Sequence, residues 1–233
     1  MADDTALEKY RAGEKASSAP ERKEAFNEAL RLYLQMESDT PSALLCYNIA
    51  NCYYQLNEYG LSILYYNKAL KIDPRLEVAK TNLQIAEAKV GLPKQSSSML
   101  ESYLLFFHYK LTHNEKAITS LLLLFLAFAL LSVHLWMPQP SLRSLAIIAL
   151  WIALILFSSI IWSGYLSSPE AICIRPVALR RDAGDQYAAV VGTPILVGTK
   201  LQVLSIQDDG NWLKVRSPIG EEGYISKEYA RII

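Results

Sequence analysis

The chain has little of what builds metal or disulfide chemistry. Its 233 residues hold three cysteines and three histidines. Cys46 and Cys52 fall in one predicted helix at a spacing that points them to different sides. Neither shares a metal-ligand spacing with Cys173, and no disulfide framework is implied. The expectation is small buried thiols, no metal and no cofactor. An excess of one charge is also missing: 23 Lys and Arg stand against 23 Asp and Glu. No segment is basic enough for a nucleic-acid footprint. Nucleophile motifs, phosphate loops and ligand clusters are absent too, so no enzyme is expected. The start, Met1-Ala2-Asp3-Asp4-Thr5, has no basic region followed by an apolar stretch, so it is not read as a signal peptide. Either there is none, or the chain begins after it.

What is abundant is apolar residues, 52% of the chain, with the excess in residues 117–166. Residues 117–136 carry no charge, and neither does the stretch 144–165. About 20 residues of helix cross a bilayer core, so each run is long enough to span one. Met137-Pro138-Gln139-Pro140-Ser141 reads as the tight turn between them. Trp136, Trp162 and Tyr165 fall at the predicted interfaces. The expectation is a two-helix transmembrane hairpin with both ends on one side. His134 lies near the end of the first span without an acidic partner in either span, and is read as a neutral interfacial histidine.

Before the spans, residues 4–37 read as two helices broken at Ser18-Ala19-Pro20, with Ala6, Leu7 and Tyr10 on the first and Phe26, Ala29, Leu30 and Tyr33 on the second. After a break at Thr40-Pro41-Ser42 comes Tyr47-Asn48-Ile49-Ala50-Asn51-Cys52-Tyr53-Tyr54. It is followed by Tyr65-Tyr66-Asn67-Lys68-Ala69-Leu70 and Asp73-Pro74. Small residues stand where helices approach closely, and aromatics where gaps must be filled. This pattern resembles a tetratricopeptide repeat (TPR), a 34-residue helix hairpin that stacks on its neighbours and leaves a concave binding surface. Residues 43–76 are the clear repeat. Degenerate helices flank it and complete a TPR domain over 1–92. A helix of roughly 75–90 is expected to turn Val78, Leu83 and Ala86 inward. Residues 93–116 are read as a linker followed by an aromatic helix at the membrane surface.

Residues 168–233 change character. Short runs at 188–191, 200–206, 211–216 and 222–225 alternate with turn signals, which suggests a small all-β barrel. "VGTKLQVL", "NWLKVR" and "EGYISKEYA" resemble a bacterial SH3-like domain, with Trp212 and Gly223-Tyr224-Ile225 carrying the likeness. The expected fold class is thus multidomain: an α-helical TPR solenoid, a transmembrane hairpin and an SH3-like barrel.

That order, and the run "YNIANCYYQLNEYGLSILYYNKALKIDPRLEVAKTNLQIA", are similar to the TPR/SH3 membrane proteins of bacterial aerotolerance operons (the Bat family, member E). The resemblance covers about residues 20–233. It implies an anchored assembly factor or scaffold working beside von Willebrand A-domain membrane proteins and an ATPase, without known catalysis. Members of that family usually begin with an export signal, and this chain does not.

Two surfaces are binding candidates. In the TPR groove, Asn48, Asn51 and Asn82 offer amide donors and acceptors to an extended peptide backbone or a terminal carboxylate. Tyr47 and Tyr54 line the same surface. No Lys occupies the place of Tyr47, so a full basic clamp for carboxylates is not evident. In the SH3-like segment, Tyr187, Trp212 and Tyr224 either form an aromatic groove for a peptide or cell-wall strand, or (for Trp212 and Tyr224) fill the core of a very small barrel. The functional expectation is a membrane-anchored adaptor; the alternative is a cell-envelope accessory that binds peptidoglycan or peptide through its SH3-like domain. Lys110, Lys116 and Arg175 flank the spans against Arg143 in the turn, which favours cytoplasmic ends. The family resemblance and the usual habitat of SH3-like domains favour the periplasmic face of the bacterial inner membrane, the reading taken here.

Overall fold

The computed structural model describes residues 2–39, 41–93, 111–162, 168–207 and 210–233. The expected surface helix at 99–112 lies almost wholly outside the described residues. The chain forms two compact units, one of residues 1–95 with 168–233 and one of residues 96–167.

Five helices open the first unit: α1 (Ala2–Lys15), α2 (Ala19–Asp39), α3 (Ala43–Gln55), α4 (Tyr59–Ile72) and α5 (Glu77–Lys89). Their ends follow local chemistry. The Ser18 hydroxyl accepts from the Glu21 amide at 3.3 Å at the start of α2. The Ser42 hydroxyl accepts from the Leu45 amide at 3.2 Å and caps α3. Asn57 makes the turn into α4 with φ 63, a left-handed conformation that asparagine tolerates better than most residues. Ala6, Phe26, Ala29, Tyr33, Ile49, Ala50, Tyr66, Ala69 and Ala79 are fully buried between the helices. Small residues at the crossings let the backbones approach, and Phe26, Tyr33 and Tyr66 fill the space between.

Val78, expected to turn inward, is 51% exposed. Ala79, one position on, is buried instead. The buried stripe of α5 runs through Ala79, Leu83 and Ala86, and Val78 sits about 100° away from it on the helix.

The other part of the first unit is an antiparallel sheet: β1 (Glu170–Cys173), β2 (Lys200–Gln207), β3 (Trp212–Arg216), β4 (Glu222–Ser226) and β5 (Ala230–Ile232). The strand order is β4-β3-β2-β1-β5. The sheet is not closed into a barrel, which corrects the expectation: the outermost strands, β4 and β5, are not neighbours in it. The stretch 188–191 is not a strand either. Ala189 makes one isolated bridge to Arg180, which also bridges Tyr224. Leu201, Val203, Leu213, Val215 and Ile225 alternate onto the buried face.

Strand β1 is buried on both faces. Ala171 and Cys173 face the core of the sheet, whereas Ile172 belongs to the core of the helices. The period-2 geometry of a strand sends alternate side chains to opposite sides. One short strand thereby stitches the helical and β parts into one unit.

The second unit contains α6 (His113–Trp136) and α7 (Pro140–Ile161). At 1.5 Å per residue, 24 and 22 residues give lengths of about 36 and 33 Å. Both are long and apolar enough to cross a membrane. Thr112 and Glu115 form a reciprocal capping box at the start of α6. Helix α7 begins earlier than the sequence suggests, at Pro140 instead of Ser144. Proline fits the first turn because its missing N–H has no helical partner to lose there. The helices meet through Ala127 on α6 and Ala146, Ala149, Ala153, Leu156 and Ser159 on α7, all buried. The Ser120 hydroxyl donates to the Ala153 carbonyl at 3.1 Å. Most other large side chains stand outward, among them Phe125 at 73% and Trp151 at 63% exposed.

Candidate functional site

The amides singled out in the sequence converge on one surface across α3 and α5. The Asn51 Oδ1 accepts from the Tyr66 hydroxyl at 2.6 Å and from the Asn82 Nδ2 at 3.1 Å. The same Asn82 Nδ2 lies 3.3 Å from the Tyr47 hydroxyl oxygen. Tyr47, Asn51 and Asn82 are half-buried, so this network is wet on one side and packed on the other. It locks the α3 and α5 faces in register, and Tyr66 anchors it from α4.

The consequence for binding is specific. The Asn51 carbonyl is committed inside the fold, which turns its Nδ2 away as a remaining donor. The carbonyl of Asn82 stays available as an acceptor. Asn48 is half-exposed and makes no side-chain hydrogen bond among the described residues. Donors and acceptors of this kind suit a peptide backbone, whose own groups alternate the same way. Tyr54 stands slightly apart. Its ring packs edge-on against Tyr59, with centroids 5.5 Å apart, at the turn between α3 and α4.

Exposed apolar residues continue the stripe. Leu44 is 62% exposed on α3; Val78 and Ile85 are 51% and 47% exposed on α5. By helical spacing Leu44, Tyr47, Asn48 and Asn51 share one face, and Val78, Asn82 and Ile85 another. The Asn51–Asn82 bond joins the two. Leu44 and Ile85 were not singled out in the sequence, and Val78 was expected on the buried side. The signal was present as a second apolar stripe on each helix, offset from the buried one. Tyr10 borders this region from α1. Burial pushes its hydroxyl up to about 12, opposed by a hydrogen bond with Gln55.

A second polar cluster, also missed in the sequence, ties α2 to α4. Glu37 accepts from the Tyr65 hydroxyl at 2.8 Å and from Lys68 at 3.1 Å. Lys68 in turn sits over the Tyr65 ring, 4.3 Å from its centroid. Tyr65 also stacks on Tyr53, centroids 5.5 Å apart. Its partners are all internal, so it reads as a strut. The signal was weak, because Glu37 and Lys68 are 31 residues apart.

The β segment does not gather its aromatics as closely. Trp212 and Tyr224 stand on the outer face of β3 and β4, both half-buried and offset by two residue pairs in the register. They are not core residues. Tyr187 is 40% exposed in the preceding loop, where its carbonyl accepts from Arg180 at 3.1 Å. No ring contact joins the three among the described residues. Lys214, Arg216 and Glu222 share their face of the sheet. Hydrogen bonding to Arg216 holds the Glu222 carboxyl below its ordinary range.

All three thiols are buried and free. Burial pushes Cys52 up to about 12 and Cys173 up to about 11, and it raises Cys46 as well. No group of three or more metal-ligating side chains occurs among the described residues.

Comparison with known families places this surface. Residues 43–76 match the tetratricopeptide repeat family, the span expected from the sequence and the one that carries Tyr47, Asn48, Asn51 and Tyr54. The chain therefore contains a TPR, a module that generally mediates protein–protein interaction. No curated protein matches the chain significantly.

Proposed function

We propose that this protein is a membrane-anchored adaptor that holds a protein partner in the groove of its TPR. One observation carries the reading: a TPR with half-exposed, uncommitted amide groups stands in the same chain as two helices apolar enough to cross a bilayer. The hairpin fixes the groove beside the membrane, so the partner is itself a membrane or membrane-associated protein. The segments before and after the spans pack against each other in one unit. That supports an even number of crossings, since segments on opposite faces of a bilayer cannot touch.

The resemblance to the aerotolerance-operon family names the finer reading: an assembly factor for von Willebrand A-domain proteins and an ATPase, with soluble parts on the periplasmic side of the bacterial inner membrane and no catalysis of its own. The β meander, with its first strand between its second and last, supports the SH3-like likeness. The alternative, a cell-envelope accessory that binds peptidoglycan or peptide, rests on the outward placement of Trp212 and Tyr224.

The test is affinity purification of the full chain from membranes. Asn48→Arg puts a bulky charge on the groove without breaking an internal bond. It should cost about 2 kcal/mol of partner binding, as truncation of an interface hot spot does, and co-purification should fall accordingly. An unchanged partner profile contradicts the groove reading. Binding to isolated cell-wall sacculi that Trp212→Ala abolishes and Asn48→Arg spares favours the alternative.

A further inference from the structure

We propose that the C-terminal β segment is the cap of the TPR stack. Strand β1 and the turn 196–199 occupy the α4 surface that a further repeat, or a second copy of the chain, would stack on. A helix hairpin with an open apolar face must be covered, and solenoids do this with a terminal element whose outer side is polar. Here the cover comes from a segment that follows the membrane hairpin in sequence.

The contact is close and mostly apolar. Ile63 of α4 and Ile172 of β1 are both fully buried in one cluster, with Ile174, Leu92 and Ile233 packed against it. Two glycines let the backbones meet. A Cβ on Gly60 would come 2.8 Å from the Ile174 Cα and 2.8 Å from the Val197 side chain. Gly198, at φ +82, turns its bare Cα toward Ile63, and a Cβ there would also meet Leu92 at 2.9 Å. At Gly60 the obstacle is the Ile174 backbone, which leaves no room for a methyl group; at Gly198 the positive φ itself disfavours any side chain. At the rim, Lys71 donates to the Ile233 carbonyl at 2.8 Å.

Away from that contact, the same face of the sheet is suited to water. Across the sheet, Gln202, Arg216 and Glu222 form an exposed polar ladder, with Arg216 bonded to both neighbours. The face of the sheet that carries Ile172 is thus apolar where it covers α4 and polar beyond that contact. This goes beyond the adaptor reading and does not depend on it: a cap closes the stack whatever the groove holds.

The experiment joins the two segments chemically in the full chain, solubilised from membranes in mild detergent. Cysteines replace Lys71 and Ile233, and a short bismaleimide bridges them. The three native thiols are buried, and each single variant serves as a control. The expected result is a bridge within one chain, mapped by mass spectrometry on protein of monomer mass. Adding Gly60→Val should lower its yield about tenfold, the scale of an overpacked contact. Gly192→Val, at a site open to solvent, should leave it unchanged. A bridge only between two chains, no bridge at all, or a yield indifferent to Gly60→Val would overturn the proposal.

Discussion

At the scale of single residues, burial sets the chemistry. The cysteines are inert because their thiolates would have to form inside a packed core. Folded-state values of about 12 for Cys52 and about 11 for Cys173 stand above the ordinary 9.0. A raised value means that the folded state holds the proton more tightly. The associated stability is complete below the unfolded value and is lost as pH rises towards the folded one. Two outcomes follow: thiol alkylation at pH 8 is slow until denaturant is added, and the melting temperature falls between about pH 9 and pH 12. Tyr10, raised from 10.0 to about 12, adds to that alkaline loss. Rapid labelling of native protein would contradict the burial. Buried thiols were legible from residue type and spacing alone. The commitment of Asn51 was not, because Tyr66 and Asn82 lie 15 and 31 residues away and only the fold brings them together.

Among elements, the helices were the easiest to read, because the 3.6-residue period and the polar caps Ser18 and Ser42 act locally. Strands β1 and β5 were harder. Each is four residues or fewer, and β1 is buried on both faces, so it shows no polar alternation. The inference of a closed barrel failed for a related reason. Closure depends on pairing between the outermost strands, which the spacing of short runs does not encode. The hairpin of α6 and α7 depends on small residues along one face. Ala153 is 1% exposed, and its carbonyl accepts from Ser120. Ala153→Leu should separate the helices, at a cost of about 1–3 kcal/mol. On the proposed membrane reading, Ser120→Ala should cost only about 0.6 kcal/mol, because hydrogen bonds within membranes contribute modestly. Cross-linking between cysteines placed on the two helices would measure both, and equal effects would contradict the view that close packing holds the hairpin together more than this hydrogen bond does.

At the scale of the whole molecule, sequence order and spatial order differ. The segments that read as two domains pack as one unit, with the apolar hairpin inserted between them in sequence. Composition showed the insertion plainly, since charge vanishes over residues 117–136 and 144–165. The docking of Ile172 onto α4 was invisible, because one isoleucine in a short strand carries no mark of which core it enters. On the proposed reading, a partner meets a short groove formed by α3 and α5 and bordered by α1, in a chain anchored to the membrane by its hairpin. Photo-cross-linking in intact membranes tests that claim most directly, with the reactive residue placed in turn at Asn48 in the groove and at Glu24 on the exposed side of α2. The account predicts a discrete adduct with a membrane-associated protein at Asn48 and none at Glu24. Equal adducts at both positions, or none at Asn48, would contradict it.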